Sequence, residues 1–380
     1  MSFRFLHHQG VADGPRLGTL VTPHGEVSTP TFMPVATRGM VRGPWPDRLR
    51  PMGVEMMLAN SFHLAARPGV ETVQKLGGLH KIMAWDGPVL MDSGGFQAFS
   101  LAAISKVTDD GVKIAHPVHG AMVDWTPKVA FDVQAALAPD VAMLLDECPA
   151  DPRDRISVAL AVRRTLLWAR MQRDMHEARG GASSGQAQFG IVQGGVFEDL
   201  RGECARGLVA MDFDGYAIGG VSVGEGHEAM MDGVRHSTQL LPVDKARYLM
   251  GVGTPLDLVE SVARGIDMFD CVYPTRSGRF GTVLTDEGPY HLHNAKFAAD
   301  PRPLVPGCDC DACLTGVPRG ILRAGLKSHE FLPPSLLAHH NLHYLIHLMK
   351  RIRLAIADGS FEELRAAINF AYRRVEPPQL

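Results

Sequence analysis

Eight short apolar runs recur along the chain, most of them far enough apart to leave room for a helix. They are TFMPV from Thr31, EMMLA from Glu55, VLMDS from Val89, VAMLL from Val141, FGIVQ from Phe189, YAIGG from Tyr216, RYLMG from Arg247 and MFDCV from Met268. Runs that are apolar almost throughout suit strands covered on both faces, which means parallel strands roofed by helices. Amphipathic stretches such as DRISVALAVRRTLLWARMQRDMHEAR and PLDLVESVARG lie between them. Eight such units predict an α/β chain folded as a (β/α)8 TIM barrel, with an open doubly wound sheet as the alternative.

The spacing is uneven in one place. Between Val89 and Val141 the segment SLAAISKVTDDGVKIAHPVHGAMVDWTP alternates like short strands and turns, so an insertion over the top of the barrel is expected. Near the N-terminus, PRLGTLVTPHGEVSTP contains two alternating runs joined at His24 and Gly25, which predicts an antiparallel hairpin capping the other end. AADPRPLVPG forms the one Pro-rich joint.

With 46% apolar and 21% charged residues over 380 positions, the chain can bury a large core. The N-terminal MSFRFLHHQG has no apolar signal region, and no window approaches the roughly 18 apolar residues of a membrane span. A cytoplasmic chain with no membrane partner is expected. A net charge of -3 advertises no nucleic-acid surface overall, so any such surface must be local. From Leu314 to Arg353 the bases Arg319, Arg323, Lys327, Lys350, Arg351 and Arg353 face only Glu330, which reads either as a local RNA surface or as a solvated helix face.

Barrel enzymes carry their chemistry at the C-terminal ends of the strands. Those ends hold Asn60, Asp92, Asp146, Gln193, Gly220, Gly251 and Asp270, with Ser93, Gly94 and Gly95 following the third strand. Three carboxylates and two amides converging on one face exceed what a core tolerates without a use. Two aspartates facing one cavity suit substitution at an anomeric carbon, one as nucleophile and one moving the proton of the leaving and incoming groups. Asp146, Gln193 and the backbone N–H of Gly220 can read the edge of a flat heterocycle such as guanine. Phe96 and Met250 stand where they can sandwich that ring, although ordinary core packing accounts for them equally.

Six cysteines are present, and three of them, Cys308, Cys310 and Cys313, crowd into CDCDAC. A C-x-C-x-x-C set with one histidine makes a closed, structural zinc site rather than a catalytic one. LLAHHNLHYLIHLM offers His339, His340, His343 and His347 as the fourth ligand, and spacing does not choose among them. The expected division is a capped barrel over 1–299, a zinc-binding subdomain over 300–350 and a C-terminal helix returning to the barrel over 351–380.

Several independent motifs, LANSFHLAARPG, WDGPVLMDSGGFQAFSL, DVAMLLDECP, FGIVQGG, GYAIGGVSVGEG, YLMGVG and GIDMFDCVYPTRSGRFG, together with the cysteine set, resemble the queuine/7-deazaguanine tRNA-ribosyltransferase family, the bacterial tRNA-guanine transglycosylases. The resemblance implies a (β/α)8 barrel with a zinc subdomain that exchanges guanine at the wobble position of G-U-N anticodons for preQ1. It implies Asp270 as the nucleophile on ribose C1′ and Asp92 as general acid/base. Asp146, Gln193 and Gly220 would recognise guanine and preQ1, with Phe96 and Met250 stacking on the base. It places Ser93, Asn60 and His63 on the ribose side and behind the reacting groups, and Arg276 and Arg279 on the anticodon stem-loop of the tRNA. Cys308, Cys310, Cys313 and His340 would hold the zinc, and the chain would form a homodimer. Val223 stands where queuine-accepting members tend to have glycine, which favours the smaller preQ1. Val221 replaces the usual leucine, and Gly316, Gly320 and Arg323 replace side chains that help form the family's dimer interface. The rival reading within the family is a catalytically inactive tRNA-binding accessory subunit, which would lack one of the two aspartates. An archaeosine-type enzyme would carry further C-terminal domains, and a metal-dependent barrel hydrolase would carry histidines at several strand ends.

Overall fold

The computed structural model describes residues 3–11, 13–95 and 106–373. The chain divides into two compact units, one of Met1–Met40, Glu55–Gly251 and Ser261–Asp270, the other of Val41–Val54, Val252–Glu260 and Cys271–Leu380.

The first unit opens with a three-stranded antiparallel sheet, β1 (Arg4–Gly10), β2 (Arg16–Thr22) and β3 (Gly25–Thr29). The expected hairpin is its β2–β3 half; β1 escapes sequence reading because six of its seven residues, RFLHHQG, are polar or glycine or face solvent. Barrel strands follow as β4 (Thr31–Met33), β5 (Met57–Asn60) and β6 (Val89–Asp92). The insertion then supplies β7 (Lys106–Thr108), β8 (Gly111–Ala115) and β9 (Met122–Trp125), an antiparallel sheet as the alternating pattern predicts. β10 (Val141–Met143), β11 (Ala187–Val192), β12 (Gly215–Ile218), β13 (Ala246–Leu249) and β14 (Met268–Asp270) complete the barrel.

All pairings among the eight barrel strands are parallel, in the order β4-β14-β13-β12-β11-β10-β6-β5. Closure comes from a parallel bridge between Val35 and Leu58, where Ala36 N donates to Leu58 O at 2.7 Å and Leu58 N to Pro34 O at 3.0 Å. The barrel expectation therefore holds, and the open-sheet alternative fails at this seam. Helices such as Pro127–Leu137, Arg155–Ala178 and Glu198–Val209 return the chain between strands. Thr126 caps the first and Asp154 the second through side-chain oxygens, each satisfying an N–H that the helix leaves open.

The N-terminal ends of the strands are tied by a buried ion pair. Arg16, on β2, grips Asp267 with two parallel bonds of 2.8 Å and also donates to Lys245 O at 2.7 Å. Asp267 in turn accepts Arg247 N at 2.7 Å, so one carboxylate joins the capping sheet to β13 and β14. Asp140, ahead of β10, does the same for β6 by accepting Val89 N at 2.9 Å and the ring of His24 at 2.8 Å.

In the second unit the helix Leu332–Asp358 packs along the helix Tyr273–Arg279. A side chain at Gly278 would start 2.7 Å from Ala338 N, so only glycine permits this approach. Asn341 binds the two segments by accepting Leu284 N at 2.9 Å and donating to Thr282 O at 2.9 Å and Pro274 O at 3.1 Å. A separate apolar cluster containing Val283, Leu292, Phe297, Leu304, Leu322 and Leu337 forms around the cysteines. The basic stretch does not survive intact. Arg319 is buried on Leu304 O and Asp300, Arg323 donates to the carbonyls of His293 and Asn294, and Arg351 pairs with Asp286. Among the described residues no helix is long and apolar enough to cross a membrane.

Removing one partner of a buried pair strands the other charge at a cost of about 3–5 kcal/mol, whereas replacing both with packed apolar groups is often neutral. Asp267→Ala is therefore expected to lower the urea midpoint sharply, and the double change Arg16→Met, Asp267→Leu to recover most of the loss. Equal midpoints for Asp267→Ala and the wild type would show that this pair anchors nothing.

Candidate active site

Strand polarity in a closed parallel barrel delivers all eight C-terminal ends to one mouth. Around that mouth stand Asn60 on β5, Asp92 on β6, Asp146 just after β10, Gln193 after β11, Gly219 and Gly220 after β12, Met250 after β13 and Asp270 ending β14. The register places Asn60 opposite Asp92, and Asn60 Nδ2 donates to Asp92 Oδ2 at 2.6 Å. Asn60 Oδ1 meanwhile accepts His63 N at 3.0 Å and caps the helix Ser61–Ala66, which fixes the amide's orientation.

Asp92 is pushed up to about 7, first by burial and then by the negative charges of Asp146 and Asp270, against opposing bonds from the backbone of Gly94 and Ser93. Asp146 is pushed up to about 6 by burial, with Gln193 Nε2 donating to it at 2.7 Å. Asp270 is also raised by burial, while Tyr248 and Gly251 hold it down. Both of these donors meet a single oxygen: Tyr248 O–H reaches Asp270 Oδ1 at 2.6 Å and Gly251 N–H reaches it at 2.8 Å. This polarises the carboxylate toward a saturated Oδ1 and a less encumbered Oδ2, the form a nucleophile needs.

The turn after β6 lies close on Asp146. Trp125 Nε1 donates to Ser93 O at 2.9 Å, Gly94 adopts φ +89°, and a side chain at Gly95 would begin 2.6 Å from Asp146 Oδ1. Gly220, at φ +60°, leaves no room either, since a side chain there would meet Gln193 Oε1 at 2.2 Å. That Oε1 is buried and has no hydrogen-bond partner among the described residues, a costly state that a donor on a bound ring relieves.

Two groups at the mouth were missed from sequence. Tyr248 sits in an apolar run, where its hydroxyl gives no signal of its own. Arg201 lies on the helix Glu198–Val209, fully buried, and donates to Gly195 O at 2.7 Å and to Gly220 O at 3.1 Å, holding the turns after β11 and β12 from behind. Burial lowers it to about 10, so it stays charged at neutral pH. Glu225 locks the next loop by accepting Ser222 N and Val223 N, the latter at 2.9 Å. His63 is held in its neutral form by burial and by the charge of Arg38. Phe96 lies outside the described residues.

In the second unit the thiols of Cys308, Cys310 and Cys313 converge on His340 Nδ1 at 3.7, 3.5 and 3.4 Å. The edge of a tetrahedron with Zn–S and Zn–N bonds of normal length is about 3.6 Å, so the donor set fits that ion. His340 Nε2 faces Leu284 O at 2.9 Å, which fixes its proton there and bares Nδ1 for a metal. These four residues form a possible metal site, consistent with zinc, and the choice that spacing left open falls on His340. Arg276 and Arg279 lie on the helix Tyr273–Arg279, Arg276 exposed and Arg279 partly so.

A sequence model of the family described as Queuine tRNA-ribosyltransferase matches residues 12–374. Curated proteins of the same description are similar over nearly their whole lengths. One from Pelotomaculum thermopropionicum is 47% identical over 95% of this chain and 96% of its own. One from Ruegeria pomeroyi is 45% identical over 97% of each, and one from Xanthomonas axonopodis pv. citri is 46% identical over 96% of this chain and 94% of its own.

Asp92 should titrate near neutrality in a carboxyl-resolved NMR experiment, and Asp270→Asn, which removes a like charge, should lower that midpoint; an unmoved midpoint would separate the two groups. Since the folded value stands above the ordinary 3.8, the folded chain holds this proton more tightly, and stability falls as pH rises from about 4 to about 7. Asp92→Asn should accordingly raise the melting temperature more at pH 8 than at pH 5. Metal analysis of the purified protein should find one zinc per chain, lost in Cys310→Ala; zinc retained there at full stoichiometry would place the ion elsewhere.

Proposed function

The chain belongs to the queuine tRNA-ribosyltransferase family, and on that premise we propose that it is a tRNA-guanine transglycosylase that exchanges guanine at the wobble position of G-U-N anticodons for preQ1. The observation that carries the reading is the shared mouth: Asp92 responds to the charge of Asp270, and the two sit at the ends of β6 and β14, Asp92 beside Asn60 and Asp270 with two donors on one oxygen.

Asp270 Oδ2 attacks ribose C1′ of the target nucleotide as the glycosidic bond to guanine breaks. The developing ester keeps both donors on Oδ1, now its carbonyl oxygen. Asp92, poised about 7, supplies a proton to the departing base and accepts one from the incoming base, which then attacks C1′ and releases Asp270. Neither step needs a redox cofactor. Asp146 accepts from the N–H and amino edge of the base, Gln193 and the Gly220 N–H serve its remaining polar atoms, and Met250 and Phe96 cover its faces. Ser93, Asn60 and His63 support the ribose side, and Arg276 and Arg279 hold the anticodon loop. A base in such a loop is unpaired, so drawing it out costs little.

Zinc held by Cys308, Cys310, Cys313 and His340 would have a structural role, closing the fold around the second apolar cluster. Val223, half-buried in the loop that Glu225 locks, is bulkier than the glycine queuine-accepting members tend to carry, which supports preQ1 over queuine. A cytoplasmic homodimer belongs to the same reading. Both acids stand at the mouth, so nothing favours the inactive accessory subunit.

The test is exchange of labelled guanine into an anticodon stem-loop with preQ1 and queuine as competitors. Asp270→Asn should abolish the protein–RNA adduct that survives denaturing electrophoresis, and exchange should fall by at least 1,000-fold, on the order of the loss of a covalent nucleophile. Label entering at any site but the wobble position, or an adduct persisting in Asp270→Asn, would rule the reading out.

A further inference from the structure

At the N-terminal ends of the barrel strands, opposite the mouth, two histidines meet one carboxylate. His24 lies in the turn between β2 and β3, His80 on the short helix Leu79–Ile82 and Asp140 just ahead of β10, so the three arrive from segments far apart in the chain. Asp140 Oδ1 faces His24 Nδ1 at 2.8 Å and Oδ2 faces His80 Nε2 at 3.3 Å, one oxygen to each ring. The two imidazoles stack with centroids 3.8 Å apart and planes 21° from parallel. All three donor atoms lie within 4.8 Å of one another.

Fixing Asp140 in place does not require the rings. The backbone already supplies a donor to each of its oxygens, Val89 N to Oδ2 at 2.9 Å and His24 N to Oδ1 at 3.3 Å, which is how ligating carboxylates are commonly steadied. Burial alone would raise Asp140, but the bonds from His80, His24 and Val89 outweigh it and hold the group below the usual carboxylate range, in the ionised form that a metal takes. Metal bonds of about 2.0–2.2 Å to nitrogen and oxygen set neighbouring donors about 2.9–3.4 Å apart. The ring–carboxylate separations of 2.8 and 3.3 Å match that edge. Two imidazoles and one carboxylate suit a borderline divalent ion such as zinc, whereas magnesium and calcium favour oxygen donors throughout. The His24 side chain is 41% exposed and that of His80 19%, with Asp140 fully buried behind them, so an ion can enter from solvent and keep water in its remaining positions. To share one ion the rings must spread from their stack, and His24, on a partly exposed turn, is the one placed to move.

We propose that His24, His80 and Asp140 form a second, exchangeable metal site that takes zinc or a similar divalent transition ion and ties the capping sheet to the floor of the barrel. The site is independent of the RNA-modifying reading. It differs from the cysteine site in having no thiolate and in staying open to water, so its ion is lost to chelators first. Purified protein therefore keeps one zinc and takes up another ion only when that ion is supplied.

The test uses the full-length protein, with zinc retained at the cysteines and loosely held metal removed on a chelating resin, titrated with cobalt(II). One further ion per chain should bind, without the sulfur-to-metal charge-transfer band that cobalt at Cys308, Cys310 and Cys313 would give. In the wild type, hyperfine-shifted ring protons should come from two imidazoles. His24→Gln and His80→Gln each keep an amide N–H for Asp140 but remove a ligand, and each should weaken cobalt binding at least about 10-fold. Added zinc should raise the melting temperature of the wild type and of neither variant. No further ion at millimolar cobalt would reduce the cluster to hydrogen bonds and overturn the proposal. A thiolate band, shifted protons from fewer than two rings, or wild-type affinity in either glutamine variant would overturn it as well. The wild-type spectra decide the matter even if a variant fails to fold.

Discussion

Three carboxylates share one barrel mouth, and burial in common means that they cannot all be charged without penalty. Asp92 yields most, because it is shielded and feels both neighbours. Asp146 yields less, and Asp270 too is raised by burial, with Tyr248 and Gly251 opposing the shift. Much of the local structure answers this one conflict: Asn60 steadies the acid that keeps a proton, Gln193 steadies the one that faces it, and buried Arg201 fastens the turns behind both. Different donor sets thus give three chemically identical side chains different electrostatic surroundings.

The barrel is built to keep that conflict away from its own stability. Charges at the N-terminal ends of the strands are arranged for strength: Arg16 and Asp267 neutralise each other, and Asp140 binds β6 and the capping turn through several donors. Charges at the C-terminal ends are arranged for tension. Both ends belong to the same strands, β14 carrying Asp270 only three residues after Asp267. A floor tied by the Arg16–Asp267 and Asp140 contacts lets the mouth hold groups that would otherwise loosen the fold.

Much of this was legible in the residues. Apolar runs gave all eight barrel strands because parallel strands buried on both faces have no polar option, and strand ends gave Asn60, Asp92, Asp146, Gln193, Gly220 and Asp270 because barrel polarity sends them to one place. What escaped had no local signature. β1 is mostly polar and exposed, and Tyr248 hides its hydroxyl in a core-like run. Arg201 reads as an ordinary helix residue until tertiary packing turns it inward onto three glycine carbonyls. The apparent basic surface from Leu314 to Arg353 misled for the converse reason: sequence counts charges, but Arg319 spends its own on Asp300 and a carbonyl inside the fold. Four histidines competed for the metal, and only the orientation of His340, pinned by Leu284 O, decided among them.

The bareness of the Ser93-Gly94-Gly95 turn is a matter of close packing. With Gly95 pressed against the Asp146 carboxylate, the turn that follows Asp92 and the segment that carries Asp146 are in mechanical contact. Bulk introduced there would displace both at once, so neither carboxylate can be repositioned from this turn alone. The Val221–Glu225 loop is restrained in another way, by Glu225 holding the backbone of Ser222 and Val223 while the Ser222 side chain is exposed and that of Val223 half-buried.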